Sequence, residues 1–483
     1  MDYYLGIDIG STSLTSVIID LNKKVVIGSK SVDNSSEIIS ESNKKLGRSE
    51  WNLNKMANLA FKNTADLISE TKISPSAIGV TGQQQGLQLL DAKYETVGNF
   101  ISWQDQRSKD LLPNQNKTYL QLMGEIGGAK IIDDGLPTFE NTGCPIVTGY
   151  TTPTLFWLKE NNILNQGLYG TTAPEFIVSR LTDTKPITDP TDAVSWGVYD
   201  LNKNDWNQDL INSLGLNKSI FSELGESCSV IGTLSKNISE LLGVKSGIPV
   251  SIASGDHQCS FAGTVSDYEN TVAINIGTGG QTSLYIDKII ERGWLEIRPY
   301  IQSGYLIAGV GVVGGRTFRV LKDFFQNTIN LLGHKEIETD LLYSKLVDLA
   351  GSVEKGSNSI SFEPLFTGSR NKPKATGSIY GLTPANFTPA HITRSLFESI
   401  AEQLYISYNE AVKNGAGKRK ILVGSGNGIK LNKIIQEEIE TKFKMKINIG
   451  KNKEEAGIGA GLCAAVSNKA FVSIKEASKY FLN

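Results

Sequence analysis

The sequence predicts an α/β protein with two domains, and three observations indicate this fold class. The chain has 483 residues, and because a domain usually holds about 100–200 residues, two or three domains are expected. Residues 5–20 and residues 272–287 are similar to each other. In both halves, apolar runs of strand length alternate with amphipathic runs of helix length, which is typical of layered α/β folds.

The internal repeat is the most informative of these observations. LGIDIGSTSLTSVIID and VAINIGTGGQTSLYID share seven identical residues when they are aligned without a gap. Each copy is an apolar run, a turn of small residues and a second apolar run that ends in Asp, which predicts a β-hairpin. Chance similarity of two hairpins is the alternative. Because the copies lie about half a chain apart, duplication of a whole domain is favoured.

Further strands and helices follow each copy. In the first half, the apolar pattern predicts a helix over 53–70 and a strand over 77–81. In the second half, it predicts strands over 304–313 and 420–425 and helices over 316–332 and 392–412.

The domain boundary is predicted near Gly247. An apolar segment over 248–253 follows this glycine and has the length and composition of a strand. The expected domains are therefore residues 1–247 and residues 248–483.

Composition and charge exclude several classes of protein. The net charge is −2, and without a long basic run neither a nucleic-acid partner nor a membrane surface is expected. The four cysteines have no CxxC spacing, so a disulfide framework or zinc site is not expected. An early Asp and no basic start argue against a secretory signal. A cytoplasmic setting is therefore predicted.

The turns of the two hairpins are suited to bind phosphate. Backbone amides in turns of small residues form a concave site for an anion. The first turn follows Asp8, which lies at a strand end where it can orient a hydrated Mg²⁺. The residues of the two turns are Gly10, Ser11, Thr12 and Ser13, and Gly277, Thr278, Gly279 and Gly280. Two matched turns, one in each half, indicate a nucleotide held between domains.

A GxGxxG pattern at Gly309, Gly311 and Gly314 suggests an alternative, an NAD-dependent dehydrogenase. That fingerprint requires an acidic residue about 20 positions later, at the end of a second strand. Here the chain is still in or just past a predicted helix at that point. Close approach to a nucleotide, or packing of helix on strand, explains these glycines better.

Asp256 has the position expected of a catalytic base. It follows an apolar strand, and strand ends in α/β proteins face ligand crevices. Transfer of a γ-phosphoryl group needs a carboxylate that accepts the proton of the attacking hydroxyl. The alternative is that Asp256 only caps the following helix. His257 is interpreted as a local hydrogen-bonding residue.

Two polar segments of the first half are suited to bind a sugar. Gln83, Gln84 and Gln85 follow the strand over 77–81, and amides both donate to and accept from hydroxyl groups. Farther along the chain, Trp103, Asp105 and Arg107 supply an aromatic face, a carboxylate and a guanidinium. The alternative for the last two is a structural ion pair within a loop.

Two longer motifs resemble the signatures of the FGGY family of carbohydrate kinases. The first covers residues 149–161 and has Thr154 in place of the usual lysine. The second covers residues 377–398 and departs from the family pattern only at Leu396. The resemblance extends over nearly the whole chain. It implies the actin-like ATPase fold, in which two ribonuclease-H-like domains flank a catalytic cleft.

The resemblance also implies roles for individual residues, with ATP and Mg²⁺ as cofactors. Asp256 matches the catalytic base, and Asp8 and Asp256 are expected to hold Mg²⁺ directly or through water. Gln84, Gln85, Trp103 and Asp105 are expected to contact the sugar together with Asp256. Besides the two turns, the nucleotide-binding residues are expected to be Gly311, Gly314, Gly315, Gly424, Ser425, Gly426 and Asn432.

Within the family, local motifs are most like those of sedoheptulokinases. These include residues 103–107 and residues 192–197, although Gln85 stands where a His is usual. The resemblance implies phosphorylation of a free ketose, sedoheptulose, to sedoheptulose 7-phosphate. A xylulose or other polyol kinase is the alternative within the family, and a catalytically silent sugar sensor is the alternative outside it. Whether the chain forms a homodimer stays open.

Overall fold

The computed structural model describes residues 3–131, 136–366, 368–369, 372–450 and 452–483. Within them, the strands are β1 (Tyr3–Ile9), β2 (Ser13–Asp20), β3 (Val25–Asp33), β4 (Glu50–Trp51), β5 (Ala77–Gly82), β6 (Leu87–Leu90), β7 (Thr96–Ile101), β8 (Tyr169–Thr171), β9 (Ile187–Thr188), β10 (Tyr199–Asp200), β11 (Asp205–Trp206), β12 (Glu223–Leu224), β13 (Val230–Thr233), β14 (Pro249–Ser251), β15 (Ser254–Gly255), β16 (Thr271–Ile276), β17 (Gly280–Ile286), β18 (Glu296–Pro299), β19 (Tyr305–Val312), β20 (Ser361–Glu363), β21 (Ser378–Tyr380), β22 (Ile421–Ser425) and β23 (Ile447–Ile449). The helices are α1 (Glu41–Lys45), α2 (Leu53–Thr71), α3 (Tyr119–Ile126), α4 (Thr151–Glu160), α5 (Ala173–Thr182), α6 (Pro190–Ala193), α7 (Gln208–Ser213), α8 (Lys236–Leu242), α9 (Asp256–Ala262), α10 (Gly315–Leu331), α11 (Thr339–Gly351), α12 (Pro389–Ala411), α13 (Asn427–Lys430), α14 (Lys433–Phe443), α15 (Glu455–Ser467) and α16 (Ile474–Leu482).

Two large sheets organise the molecule. The first has the order β13-β14-β5-β1-β2-β3, with β15 also paired to β5, and the second has the order β18-β19-β17-β16-β22-β23. Each repeat copy is an antiparallel hairpin inside its sheet, as predicted. The first strand of each hairpin also runs parallel to a later strand, β5 or β22.

The duplication extends beyond the hairpins. Five strands follow the same order in both sheets, β14-β5-β1-β2-β3 and β23-β22-β16-β17-β19. Their directions also match, because the first three strands of each set are parallel and the last two pairings are antiparallel. The predicted duplication of a whole domain is therefore confirmed at the level of the sheet.

The strand that follows Gly247 lies in the first sheet. β14 and β15 both run parallel to β5, whereas the first strand of the second sheet is β16. The chain therefore passes from one sheet to the other after β15 and not at Gly247. An apolar strand does not reveal its pairing partner, which is why the sequence located the change too early.

The C-terminal part of the chain returns to the first sheet. Gly6 on β1 and Gly79 on β5 face the backbone of α15. A Cβ atom on Gly6 would lie 1.8 Å from Gly457 O, and a Cβ atom on Gly79 would lie 2.0 Å from Ala460 O. Such close approach requires small residues on both sides. Helix α15 therefore ties the two halves of the chain together.

The structure also tests the dehydrogenase alternative and the other classes of protein that the sequence argued against. Strand β19, which contains Gly309 and Gly311, is antiparallel to both of its neighbours. A dinucleotide fingerprint needs a parallel βαβ unit, so the dehydrogenase alternative is excluded. All four cysteines are buried, and within the described residues none of them forms a disulfide. Among the described helices, none has both the length and the apolar character needed to cross a membrane.

Candidate active site

Both sheets contribute to a cleft of about 380 Å³. It brings together most of the residues predicted to bind sugar or to hold the metal. The lining residues are Asp8, Gly10, Ser11, Thr12, Ser13, Gln83, Gln84, Gln85, Trp103, Asp256, His257, Gln281, Arg298 and Val310. A larger cavity of about 470 Å³, lined in part by Tyr94, Tyr169 and Trp206, contains none of the predicted site residues.

The register of the first sheet brings Asp8 and Asp256 to the same edge. Asp8 pairs with Thr81 on one side of β5, and Ser254 pairs with Thr81 on the other side. Asp256 begins α9 directly after β15. Because β1, β5 and β15 are parallel, their carboxyl ends open into one crevice.

Burial makes both carboxylates unusual. Burial raises the pKa of Asp256 to about 6, against the opposing effects of the His257 backbone N–H and the charge of Arg298. Asp256 Oδ1 accepts that N–H at 2.6 Å. Burial, followed by repulsion from Asp256 and Glu454, raises the pKa of Asp8 to about 7. Two neighbouring carboxylates that repel each other fit a magnesium ion, which is usually bound by one or two carboxylates plus phosphate oxygens.

His257 is a hydrogen-bonding residue, as predicted. Its Nε2 lies 2.7 Å from the hydroxyl of Ser283 on β17. Helix α9, which begins with the candidate base Asp256, is therefore linked to the second sheet. Burial and the charge of Arg298 lower the pKa of His257 to about 3. A histidine that stays neutral at physiological pH does not compete with Asp256 for the proton.

The second hairpin turn packs on the start of α10. Gly315 N donates to Gly277 O at 3.1 Å, and Arg316 N donates to Thr278 O at 2.8 Å. A Cβ atom at Gly314 would lie 2.6 Å from Gly279 C. The predicted glycines therefore allow a 17-residue helix to begin against the turn at 277–280, where the helix dipole favours an anion. Gly311 lies just before this junction, on β19.

The predicted adenosine motif follows β22. Ser425 accepts a hydrogen bond from Asn275 Nδ2 at 2.8 Å and lines a smaller cavity of about 170 Å³ that also contains Asp256. A Cβ atom at Gly426 would lie 2.4 Å from Ile276 O, and Gly424 is packed against Ile447.

Asn432 has a structural function at the end of this motif. Its side-chain oxygen accepts the backbone N–H groups of Ile434 and Ile435, both at 3.1 Å, and so caps α14. Its Nδ2 has no hydrogen-bond partner within the described part of the chain. The oxygen is thus engaged in the fold, while the amide nitrogen is available.

Gln84 does not present a free amide to the sugar. Its Nε2 donates to Thr191 O at 2.7 Å and to Gln258 Oε1 at 3.1 Å, and its Oε1 accepts from Arg298 at 2.7 Å. The side chain therefore connects the first sheet, the helix of the base and the second sheet. The structure therefore gives Gln84 a positioning function, and its contact with sugar stays a prediction.

Gln83 and Gln85 are the glutamines that stay available. Both polar atoms of the buried Gln83 side chain lack a partner among the described residues. Gln85 has a φ of +73°, a strained conformation for a residue with a side chain. Its backbone N–H donates to the hydroxyl of Ser195 at 3.1 Å, which helps to hold it. Trp103 lines the same cleft.

Asp105 lies outside the cleft. It is only 1% exposed, and its carboxylate accepts from Ser49 N at 2.9 Å and from Arg107 Nε at 2.8 Å. The structural ion pair is therefore the correct alternative, and the predicted contact of Asp105 with sugar is corrected. Thr154 is also buried and does not line the cleft.

The sequence interpretation missed three residues that the second sheet contributes, Gln281, Arg298 and Val310. A signal for Arg298 was present. Glu296 and Arg298 alternate along an otherwise apolar strand, and residues two apart face the same side of a strand. Charged residues at such positions are seldom buried unless they are paired.

Comparison of the chain with known proteins agrees with this geometry. A family model described as the N-terminal domain of the FGGY family of carbohydrate kinases matches residues 3–263. The chain belongs to the FGGY family of carbohydrate kinases. The matched segment includes β14, β15 and α9, in agreement with their place beside the first sheet.

Several FGGY kinases are similar over most of their length. Xylulose kinase of Staphylococcus xylosus is 24% identical over 495 residues, which cover 100% of this chain and 94% of that protein. Sedoheptulokinase of Mus musculus is 22% identical over 412 residues, which cover 80% of each protein. The crystal structure of Plasmodium falciparum glycerol kinase with ADP matches with a TM-score of 0.81 and 21% identity, covering 100% of this chain and 93% of that one. The predicted actin-like fold with two ribonuclease-H-like domains is confirmed.

Proposed function

We propose that the protein transfers the γ-phosphoryl group of ATP to a terminal hydroxyl of a free ketose, and that sedoheptulose is its substrate. The observation that carries this proposal is the buried Asp256 carboxylate beside Asp8, in a cleft lined by amides and an indole. A carboxylate at that place can accept the proton of a sugar hydroxyl. Its raised pKa makes it a stronger base than an exposed aspartate.

Residues of the cleft and of the neighbouring turns hold the reactants. The turns at 10–13 and 277–280 supply backbone amides for phosphate oxygens, and Asp8 and Asp256 would hold Mg²⁺ directly or through water. When it is bound, Mg²⁺ neutralises charge on the phosphate oxygens. The motif of Gly424 and Ser425 faces the nucleoside. These residues position ATP, while Asp256 orients the attacking hydroxyl and takes its proton.

The lining of the cleft supports a neutral sugar. The guanidinium of Arg298 is paired with Glu296 at 2.7 Å, so no unpaired cation lines the described cleft to hold a phosphorylated substrate. The local motifs around Trp103 and Trp196 favour sedoheptulose. Xylulose is the second candidate, because the match to a xylulose kinase covers the full chain whereas the match to sedoheptulokinase covers 80% of it.

A coupled assay of ADP release over free ketoses, aldoses and polyols tests the proposal. We expect the highest kcat/KM with sedoheptulose, because a site that binds hydroxyls rejects analogues that leave its buried polar groups unpaired. A tenfold preference for xylulose or glycerol, on the order of 1.4 kcal/mol, would replace the substrate and leave the kinase function intact. Sugar binding without ADP release would favour the silent sensor.

A further inference from the structure

The second sheet contributes a guanidinium group to the sugar end of the cleft. Arg298 lies on the edge strand β18 and is 5% exposed. It lines the same cavity as Asp256, Gln85 and Trp103. No motif of the sequence interpretation included it, and the proposed phosphoryl transfer leaves it without a role.

The hydrogen bonds of Arg298 leave donors unused. A guanidinium has five N–H groups. Nε and Nη2 contact Glu296 Oε2 at 2.9 Å and 2.7 Å, and Nη1 donates to Gln84 Oε1 at 2.7 Å. Within the described residues, two N–H groups therefore have no protein acceptor. Buried donors are costly when they are unpaired, so an oxygen atom of a ligand in the cleft is a favourable acceptor for these two.

The surroundings hold this guanidinium in one orientation. Glu296 is 1% exposed and contacts one edge of the planar group. Gln84 contacts another edge, and its amide cannot turn over without losing Thr191 O and Gln258 Oε1 as acceptors. Gln258 in turn donates to Pro299 O at 3.0 Å. The unused donors are thus fixed before any ligand arrives, which lowers the entropic cost of binding.

We propose that Arg298 is a substrate-binding residue that donates its two remaining N–H groups to oxygen atoms of the sugar chain. The inference rests on the proposed sugar kinase function. Because Glu296 compensates the charge of Arg298, while Asp8 and Asp256 add negative charge, the ligand oxygens belong to hydroxyl or carbonyl groups and not to a carboxylate. Arg298 therefore selects neutral sugars, and it does so from the domain opposite Gln85 and Trp103.

The variant Arg298→Lys tests this binding function. Lysine keeps the positive charge next to Glu296 but loses the planar fork of donors. With sedoheptulose, or with xylulose if the wild-type protein prefers it, we expect KM to rise about tenfold to a hundredfold, the cost of one or two lost charged hydrogen bonds. The Kd for ADP, measured by calorimetry, is expected to change by less than about twofold, because the side-chain partners of Arg298 are Glu296 and Gln84 and not residues of the nucleotide motifs.

Arg394→Lys is the matched control. Arg394 is a buried arginine of the same half of the chain, paired with Glu438 at 2.6 Å, and it does not line the cleft. Arg394→Lys is expected to lose as much thermal stability as Arg298→Lys does, but its KM for the sugar is expected to stay at the wild-type value. If the Arg298→Lys protein does not fold, the double variant Glu296→Gln/Arg298→Met, which removes both charges, is measured in its place.

The outcomes separate the inference from the proposed function. If the wild-type protein phosphorylates the sugar and folded Arg298→Lys keeps its KM, Arg298 does not bind substrate. If the wild-type protein prefers gluconate over the ketoses and Arg298→Lys loses that preference, Arg298 recognises a carboxylate, and the assignment to neutral sugars is wrong. If no sugar elicits ADP release from the wild-type protein, the proposed kinase function itself fails.

Discussion

Asp256 is a stronger base than an exposed aspartate because burial disfavours its charged form. The His257 backbone N–H and the charge of Arg298 act in the opposite direction and keep its pKa near 6. Near neutral pH the carboxylate is therefore mostly ionised and still basic enough to accept a proton. This combination is what general-base catalysis requires.

Asp256→Asn removes the base and keeps the size of the side chain. We expect kcat to fall by about 10²–10⁴-fold, the usual scale for loss of a general base. Sugar affinity, measured by calorimetry without nucleotide, is expected to survive. Turnover close to that of the wild-type protein would exclude Asp256 as the base, provided that the variant unfolds at a similar temperature.

At the scale of single elements, the junction between α10 and the turn at 277–280 depends on the absence of side chains. The φ of Gly314 is −156°, which any residue can adopt, so the constraint there is contact and not backbone strain. A Cβ atom would meet the backbone of Gly279 at 2.6 Å. Backbone atoms in a tight turn cannot move aside as a flexible side chain can.

Gly314→Ala is therefore expected to disturb the phosphate turn. We expect the KM for ATP to rise by about tenfold, because a shift of about 1 Å in positioning groups has a large effect on phosphoryl transfer. The KM for sugar is expected to change little. Gly450→Ala is the control, since a Cβ atom there meets no atom of the described residues within 4 Å. Equal effects of the two substitutions on the KM for ATP would contradict the assignment of this turn.

The segment that supports the sugar loop contains three buried carboxyl groups, Glu175 on α5, Asp189 just before α6 and Asp192 on α6. Two of them, Glu175 and Asp192, are incompletely hydrogen-bonded among the described residues. Both oxygens of Asp192 and Oε1 of Glu175 lack a hydrogen-bond partner among the described residues. Burial raises the pKa of both groups, and repulsion from Glu175 raises that of Asp192 further. The neighbouring Thr191 holds Gln84 and, through its hydroxyl, Gly255 N at 2.8 Å.

This pair predicts a pH dependence of stability. A carboxyl group with a raised folded-state pKa binds its proton more tightly in the folded protein. Stability is therefore greatest below the unfolded value, about 3.9 for Asp, and declines as pH rises through the folded value, by at most about 1.4 kcal/mol per pH unit for one proton.

Asp192→Asn stays neutral at every pH and lacks this decline. Its Tm relative to the wild-type protein is expected to increase between pH 4.5 and 8, as measured by calorimetry. Asp66→Asn, at an exposed position on α2, is the control and should follow the wild-type curve. If the difference in Tm between Asp192→Asn and the wild-type protein does not vary with pH, the carboxyl group of Asp192 is ionised over the whole range from pH 4.5 to 8.

At the scale of the whole molecule, the cleft joins two domains that carry different parts of the site. The first sheet carries Asp8, the glutamine loop and the first turn, and the second carries Arg298 and the second turn. Closure on both substrates would exclude water, which otherwise competes with the sugar as phosphoryl acceptor.

Small-angle scattering tests whether the domains close. We expect a smaller radius of gyration with sugar plus a non-hydrolysable ATP analogue than with either ligand alone, because each ligand is proposed to contact residues of both domains. An unchanged scattering profile at saturating concentrations of both ligands would contradict closure. The same measurement on Arg298→Lys shows whether the hydrogen bond between Arg298 and Gln84 contributes to domain closure.

The sequence by itself determined the features that depend on neighbouring residues. The two hairpins, the helices at 53–70 and 392–412 and the position of Asp256 at a strand end all follow from local alternation and turn composition. Asp8 and Asp256 were predicted correctly as cleft residues for the same reason, since a strand end opens into a crevice whichever strand is its neighbour.

Only the tertiary structure decided which polar groups are free to act. Gln84 and Arg298 are 214 residues apart in the chain, and no local pattern reveals that one uses up the amide of the other. Asp105 is likewise satisfied by Ser49, 56 residues earlier. The same is true of β14, whose partner is β5, and of α15, whose glycines fit against β1. A side chain's function depends on which of its hydrogen bonds the fold has already satisfied, and long-range packing determines those partners.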